Sequence, residues 1–129
     1  MRAVLGRRVV QLIRGYTPTV LFLTVVEAFE DAATYLPEVL ARRGLDETAV
    51  QAALQKLDAL RRVIQVIPAE LVAHLEPEAR ERLQGRDQDD WPYLGLALVF
   101  DCPLWTEDRD FFGCGIALWT TDRVEIYLQ

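Results

Sequence analysis

Seven acidic residues stand where chemistry could be done. Asp89 and Asp90 precede the apolar run Trp91 to Phe100, Asp108 and Asp110 follow Thr106 after a second apolar run, and Glu27, Glu30 and Asp31 fall within about one turn of an earlier helical pattern. Carboxylates with no His or Cys among them suit hard cations, Mg²⁺ or Mn²⁺. A cation held this way activates water and neutralises phosphate charge. The same residues also have plainer roles: Asp90 as a helix N-cap, Glu27 and Asp31 as a solvated helix face, Asp108 and Asp110 as caps of a turn. Other chemistries fail on residue type. The chain has no serine, so a serine triad is excluded, and Cys102 or Cys114 would have only His74 as a base, with no spacing to recommend the pair. His74, among apolar neighbours and with no second His or paired Cys nearby, reads as a structural or surface residue. Gly113-Cys114-Gly115 lacks the remaining spacing of a phosphate loop.

The elements that must position these acids alternate between helix and strand. Leu5, Val9, Leu12 and Tyr16 repeat at helical spacing and predict an opening helix that ends near Gly15. Thr19 to Leu23, behind Pro18, predicts a buried strand leading into a helix marked by Val26, Phe29, Ala33, Leu36 and Leu40. Pro37 is expected to kink or restart that helix and Gly44 to stop it. Asp46 is the expected N-cap of a further helix, with Ala53, Leu57, Leu60 and Ile64 on its apolar face, reaching about Arg62. Val63 to Ile67 predicts a strand, Pro68 to Leu83 short helical pieces, Gln84 to Asp90 a polar turn, and Trp91 to Phe100 a buried helix opened by acid and Pro92. Pro103 to Thr106, Ile116 to Thr120 and Val124 to Leu128 predict three short strands. Together these predict a single α/β domain over 1–129, a three-layer α/β/α sandwich around a mainly parallel central sheet. In such sheets ligands bind at the carboxyl edge of the strands, so acids at strand ends and helix starts can share one site.

Composition bounds the partners. The 129 residues hold 51% apolar and 26% charged side chains, enough for one core and against disorder. A net charge of −6 argues against holding nucleic acid by bulk positive charge, so any such contact must be local. The run Val20 to Val26 is far shorter than the roughly 20 residues of a membrane helix, and no membrane partner is expected. Arg7 and Arg8 before Val9 and Val10 resemble a twin-arginine export signal only faintly, since Arg14 breaks the apolar stretch and no small-residue cleavage site follows. The two cysteines read as reduced thiols of a cytoplasmic protein.

The run Asp87-Gln-Asp-Asp-Trp-Pro-Tyr-Leu-Gly-Leu-Ala-Leu, followed by Pro103-Leu-Trp-Thr-Glu-Asp-Arg-Asp-Phe-Phe, resembles the C-terminal half of a PIN domain. That family pairs an acid at the start of an apolar helix with a short strand ending in Thr, any residue and Asp, then Phe. Gly115-Ile-Ala-Leu-Trp-Thr-Thr resembles the family's late strand, and Phe22 through Leu40 resembles its second strand and acidic helix. The resemblance implies an Mg²⁺- or Mn²⁺-dependent ribonuclease, of the kind found as toxins of bacterial toxin–antitoxin systems. It carries metal and catalytic roles to Asp31, Asp90 and Asp108, with Glu27 and Glu30 competing for the place of Asp31, Asp110 as an auxiliary acid, and Thr106 as the hydroxyl beside the site. It implies RNA as substrate and an antitoxin protein as partner, with local arginines on the phosphates.

One departure stands out. The family begins with a hydrophobic strand ending in an Asp, and here Met1 stands where that strand should already have passed, with no Asp before Asp31. The expectation is a PIN-like domain lacking its N-terminal strand, with a weakened metal site and exposed sheet edges that favour a homo-oligomer. A second reading is therefore a catalytically weak PIN-like scaffold that acts through protein association. A third is an α/β domain that binds a small anion without chemistry.

Overall fold

The computed structural model describes residues 6–129. Helix α1, Arg7–Tyr16, buries Val9, Leu12 and Ile13, which lie on one face at spacings of three and four. Its expected first apolar contact, Leu5, lies outside the described residues. Contacts divide the chain into a unit that ends at Val66 and a unit of Ile67–Gln129.

In the first unit, strand β1 spans Leu23–Val25, later than the expected Thr19 to Leu23. The N–H groups of Thr19 and Val20 both bond to the Tyr16 carbonyl, at 2.9 and 2.8 Å, so the chain closes a turn after α1 before it can extend. Helix α2, Val26–Arg42, runs through Pro37 without a break, contrary to the expected restart. Proline removes one helical hydrogen bond, but Leu36 and Leu40 on either side of it are 0% and 2% exposed, and their burial against helix α3, Glu47–Val63, outweighs that loss. The buried face of α2 is Phe29, Ala32, Leu36 and Leu40, with Ala32 where Ala33 was expected.

Gly44 ends α2 as expected. Its φ of +75° lets the Leu45 N–H reach the Leu40 carbonyl and its own N–H reach that of Ala41, both at 3.0 Å, the pairing of a Schellman motif. Asp46 caps α3 by accepting from the Ala49 N–H at 3.0 Å. Strand β2, Gln65–Ile67, meets β1 where the Gln65 N–H donates to the Phe22 carbonyl at 2.8 Å.

The second unit is built of shorter pieces. Two 3₁₀ turns, Ala69–Leu71 and Ala73–Leu75, lead into helix α4, Glu76–Arg82, as the proline-led segment predicts. His74 is exposed there, in keeping with its reading as a surface residue. A 3₁₀ turn at Gln88–Asp90 runs into helix α5, Trp91–Phe100, which buries Leu94 to Ala97. Asp101, in the left-handed conformation at φ 48°, turns the chain out of α5 into strand β3, Leu104–Trp105. Strand β4, Leu118–Trp119, pairs parallel to β3 with Leu104 opposite Leu118 and Trp105 opposite Trp119.

The last segment corrects the expectation. Val124 to Leu128 is not a strand, and helix α6 spans Glu125–Leu128. Val124 and Leu128 are buried while Ile126 is 60% exposed, which is burial at a spacing of four rather than two. The strands among the described residues thus form two two-stranded sheets in a mixed α/β chain.

Candidate acidic site

The carboxyl end of β3 and the start of α5 carry three of the predicted acids into one cluster. The Trp119 carbonyl accepts from the Thr106 N–H at 3.0 Å, which extends the β3–β4 ladder to the residue before the acidic loop. There the pairing stops. The Thr106 hydroxyl accepts from the Asp108 N–H at 3.0 Å, and the Asp108 carboxylate accepts from the Asp110 N–H at 2.9 Å, so each residue fixes the next. The 3₁₀ turn Arg109–Phe111 follows, and buried Phe111 packs with Ala79, Leu83, Leu94 and Cys114 while meeting Tyr93 edge-on at 6.5 Å. The loop is anchored at both ends, by a strand pair and by a core aromatic.

On the facing side, Asp90 occupies the N-cap position of α5 but makes no capping bond, while Asp87 caps the preceding 3₁₀ turn by accepting from the Asp89 N–H at 3.0 Å. The plain reading of Asp90 as a cap therefore fails, and its carboxyl is left to the cluster. One oxygen each from Asp90, Asp108 and Asp110 lies within 4.8 Å of the others. Oxygens on one Mg²⁺ at about 2.1 Å stand roughly 3–4 Å apart, so small side-chain rotations suffice to close the set on one cation.

The electrostatics point the same way. Asp90 is pushed up from 3.8 to about 6, first by burial and then by the like charges of Asp87, Asp108 and Asp110, and it shares a hydrogen bond with Asp108. Burial and neighbouring acids disfavour the charged form of Asp90, and a divalent cation is the counter-charge these hard oxygens suit.

Three arginines near the cluster have partners outside its three carboxylates. Arg80 pairs with Glu76 at 2.9 Å and approaches Asp89 at 3.6 Å. Arg82 donates to the Cys114 carbonyl at 3.0 Å and pairs with Glu78, and Arg86 donates to the Asp110 carbonyl at 3.1 Å. No sequence spacing pointed to these contacts; the only signal was Gly113-Cys114-Gly115, whose glycines take φ of +81° and +88°. Glu107 accepts from the Thr121 N–H at 2.7 Å and Trp105 donates to the Thr121 hydroxyl at 3.1 Å, tying the segment after β4 to the one after β3.

The other sequence candidates lie in the first unit. Asp31 and Glu30 are exposed on α2, and Glu27, in its first turn, is half-buried with one oxygen that has no hydrogen-bond partner among the described residues.

A PIN domain family model matches residues 1–129, so the chain belongs to the PIN domain family, a nuclease-like family. Comparison with curated proteins and with solved structures found no significant match. Among the described residues, no helix is long and apolar enough to cross a membrane.

Proposed function

We propose that this chain is a PIN-like, divalent-metal-dependent ribonuclease of the cytoplasm that hydrolyses RNA phosphodiester bonds, of the kind that serves as the toxin of a toxin–antitoxin pair. The observation that carries this reading is the cluster of Asp90, Asp108 and Asp110, with oxygens within 4.8 Å and Asp90 raised to about 6 by burial and then by the neighbouring acids. These are the residues that would hold Mg²⁺ or Mn²⁺. Asp31 and Glu27 enter the proposal on the family resemblance alone, as does the three-layer α/β/α arrangement with one central sheet. Bound there, the cation supplies an activated water and neutralises charge on the phosphate.

The chain's own residues do the rest. Thr106 accepts from the Asp108 N–H and the Asp108 carboxylate accepts from the Asp110 N–H, so the acidic loop is held in place before a cation arrives. Asp90, half-protonated near pH 6, would have to give up its proton to hold a cation. Exposed Arg109 and Arg123 offer guanidinium groups to RNA phosphates, a local contact that a chain of net charge −6 requires. The test is cleavage of a labelled single-stranded RNA with Mn²⁺ at pH 7.5. Activity that disappears with EDTA and in both Asp90→Asn and Asp108→Asn supports the proposal. Equal activity in the parent and both variants removes it.

A second reading, a scaffold of weak activity acting through protein association, draws support from Phe100 and Phe112, which are 47% and 54% exposed in the second unit. It predicts a homo-oligomer or a complex with an antitoxin protein. Light scattering that gives the mass of one chain at all concentrations, with no complex on co-expression, would eliminate it.

A further inference from the structure

The acid cluster has two sides: Asp108 and Asp110 follow β3, and Asp90 opens α5. One side chain links the backbones of both. Arg86 lies four residues before Asp90, in the turn made by Gly85 at φ +82°, and its Nη1 donates to the Asp110 carbonyl at 3.1 Å. Arg82, on the last turn of α4, reaches the same loop at the Cys114 carbonyl, at 3.0 Å.

The loop is shaped around these guanidinium groups. A Cβ on Gly113 would stand 3.1 Å from Arg86 Nη2, and one on Gly115 would stand 2.5 Å from Arg82 Nη1, so both glycines leave room that the arginines fill. The left-handed φ at each adds a second reason for glycine.

We propose that Arg86 is a positioning residue that sets the gap between Asp90 and the Asp108–Asp110 loop by holding the main chain of Asp110, with Arg82 holding the far end of that loop. The inference rests on the metal-site reading above. Arg86 is directed to a carbonyl rather than a carboxylate, and this choice of partner matters. A guanidinium paired with Asp90 or Asp108 would neutralise the charge that a cation must meet. Bonded to a carbonyl, it holds the backbone and leaves the carboxylates unneutralised. A planar fork on a long side chain suits such a strut, because few bonds need to be fixed for each hydrogen bond gained.

The experiment compares the parent, Arg86→Met, Arg86→Lys and Gly113→Ala by two readouts. The first is Mn²⁺ titration by calorimetry. The second is amide hydrogen exchange of residues 110–114 in the metal-free protein. Arg86→Met keeps the side chain's bulk and loses the donors; it is expected to weaken Mn²⁺ binding about tenfold, as loss of an outer partner of a ligand does, and to speed exchange at Phe111 to Cys114. Arg86→Lys, with one donor able to reach the carbonyl, is expected to recover part of both. Gly113→Ala strains the loop at φ +81° and shows the exchange that a loosened loop gives; if Arg86→Met fails to fold, Arg86→Lys decides by the same two readouts. Unchanged exchange and unchanged Mn²⁺ affinity in folded Arg86→Met would overturn the proposal. If the parent binds no Mn²⁺, the metal-site reading fails, while the exchange readout still decides whether Arg86 fixes the loop.

Discussion

The long helices of the first unit and the acidic cluster of the second use acidic residues in different ways. In the first, acids find local partners: Glu38 pairs with Arg42 and Asp58 with Arg62, each one helical turn away on an exposed face, and Asp46 caps α3. Such pairs contribute a few tenths of a kcal/mol each and could be replaced at little cost. In the second, Asp90, Asp108 and Asp110 gather within 4.8 Å, and the nearby arginines bond to carbonyls or to other acids. The difference teaches that an acid's role follows from whether its own element offers it a cation. Helices α2 and α3 do so through their repeat, whereas a strand end and a helix start cannot.

The largest effect expected is in the core beneath the cluster. Leu94→Ala empties a fully buried position beside Phe111 and should cost about 3 kcal/mol in chemical denaturation, enough to loosen the acidic loop. Close behind, Asp108→Asn removes an anionic ligand while keeping an oxygen to accept from the Asp110 N–H; Mn²⁺ affinity by calorimetry should fall by about two orders of magnitude, or ~2.7 kcal/mol. Asp31→Asn sharpens the comparison: a loss equal to that of Asp108→Asn would show that the site also draws on the first unit and would break the contrast.

Asp90 gives a pH signature. Its folded pKa of about 6 lies above the ordinary 3.8, so its contribution to stability is fully present below about pH 3.8 and is lost as the pH rises through about 6. Without metal, Asp90→Asn should therefore raise the melting temperature at pH 8 but not at pH 4, by the equivalent of about 1 kcal/mol once screening at this partly exposed site is allowed for. Mn²⁺ affinity of the parent should rise between pH 5 and 7 as the competing proton leaves. An equal shift at both pH values would remove the like-charge account. The smallest effect belongs to the first unit, where Asp58→Asn should change stability by no more than about 0.5 kcal/mol and leave Mn²⁺ binding untouched.

What the sequence determined by itself was whatever depends on near neighbours. The Asp46 cap, the Gly44 stop, the face of α3 and the apolar helix at Trp91–Phe100 follow from spacing within one or two turns; the resemblance to PIN domains, carried by motifs along the chain, is borne out over residues 1–129. Where two periods competed, the sequence misled: Val124, Ile126 and Leu128 alternate like a strand, yet burial at a spacing of four selected a helix. Pro37 was legible as a breaker, but not the packing of Leu36 and Leu40 that holds the helix through it. The tertiary structure alone decided that Asp90 meets Asp108 and Asp110, and that Arg86 and Arg82 hold the loop at the Asp110 and Cys114 carbonyls. Each of these joins residues on different elements, about 20 to 30 positions apart. Their proximity follows from how β3, α4 and α5 pack, because a chain's local preferences set what each segment becomes but not which segments meet.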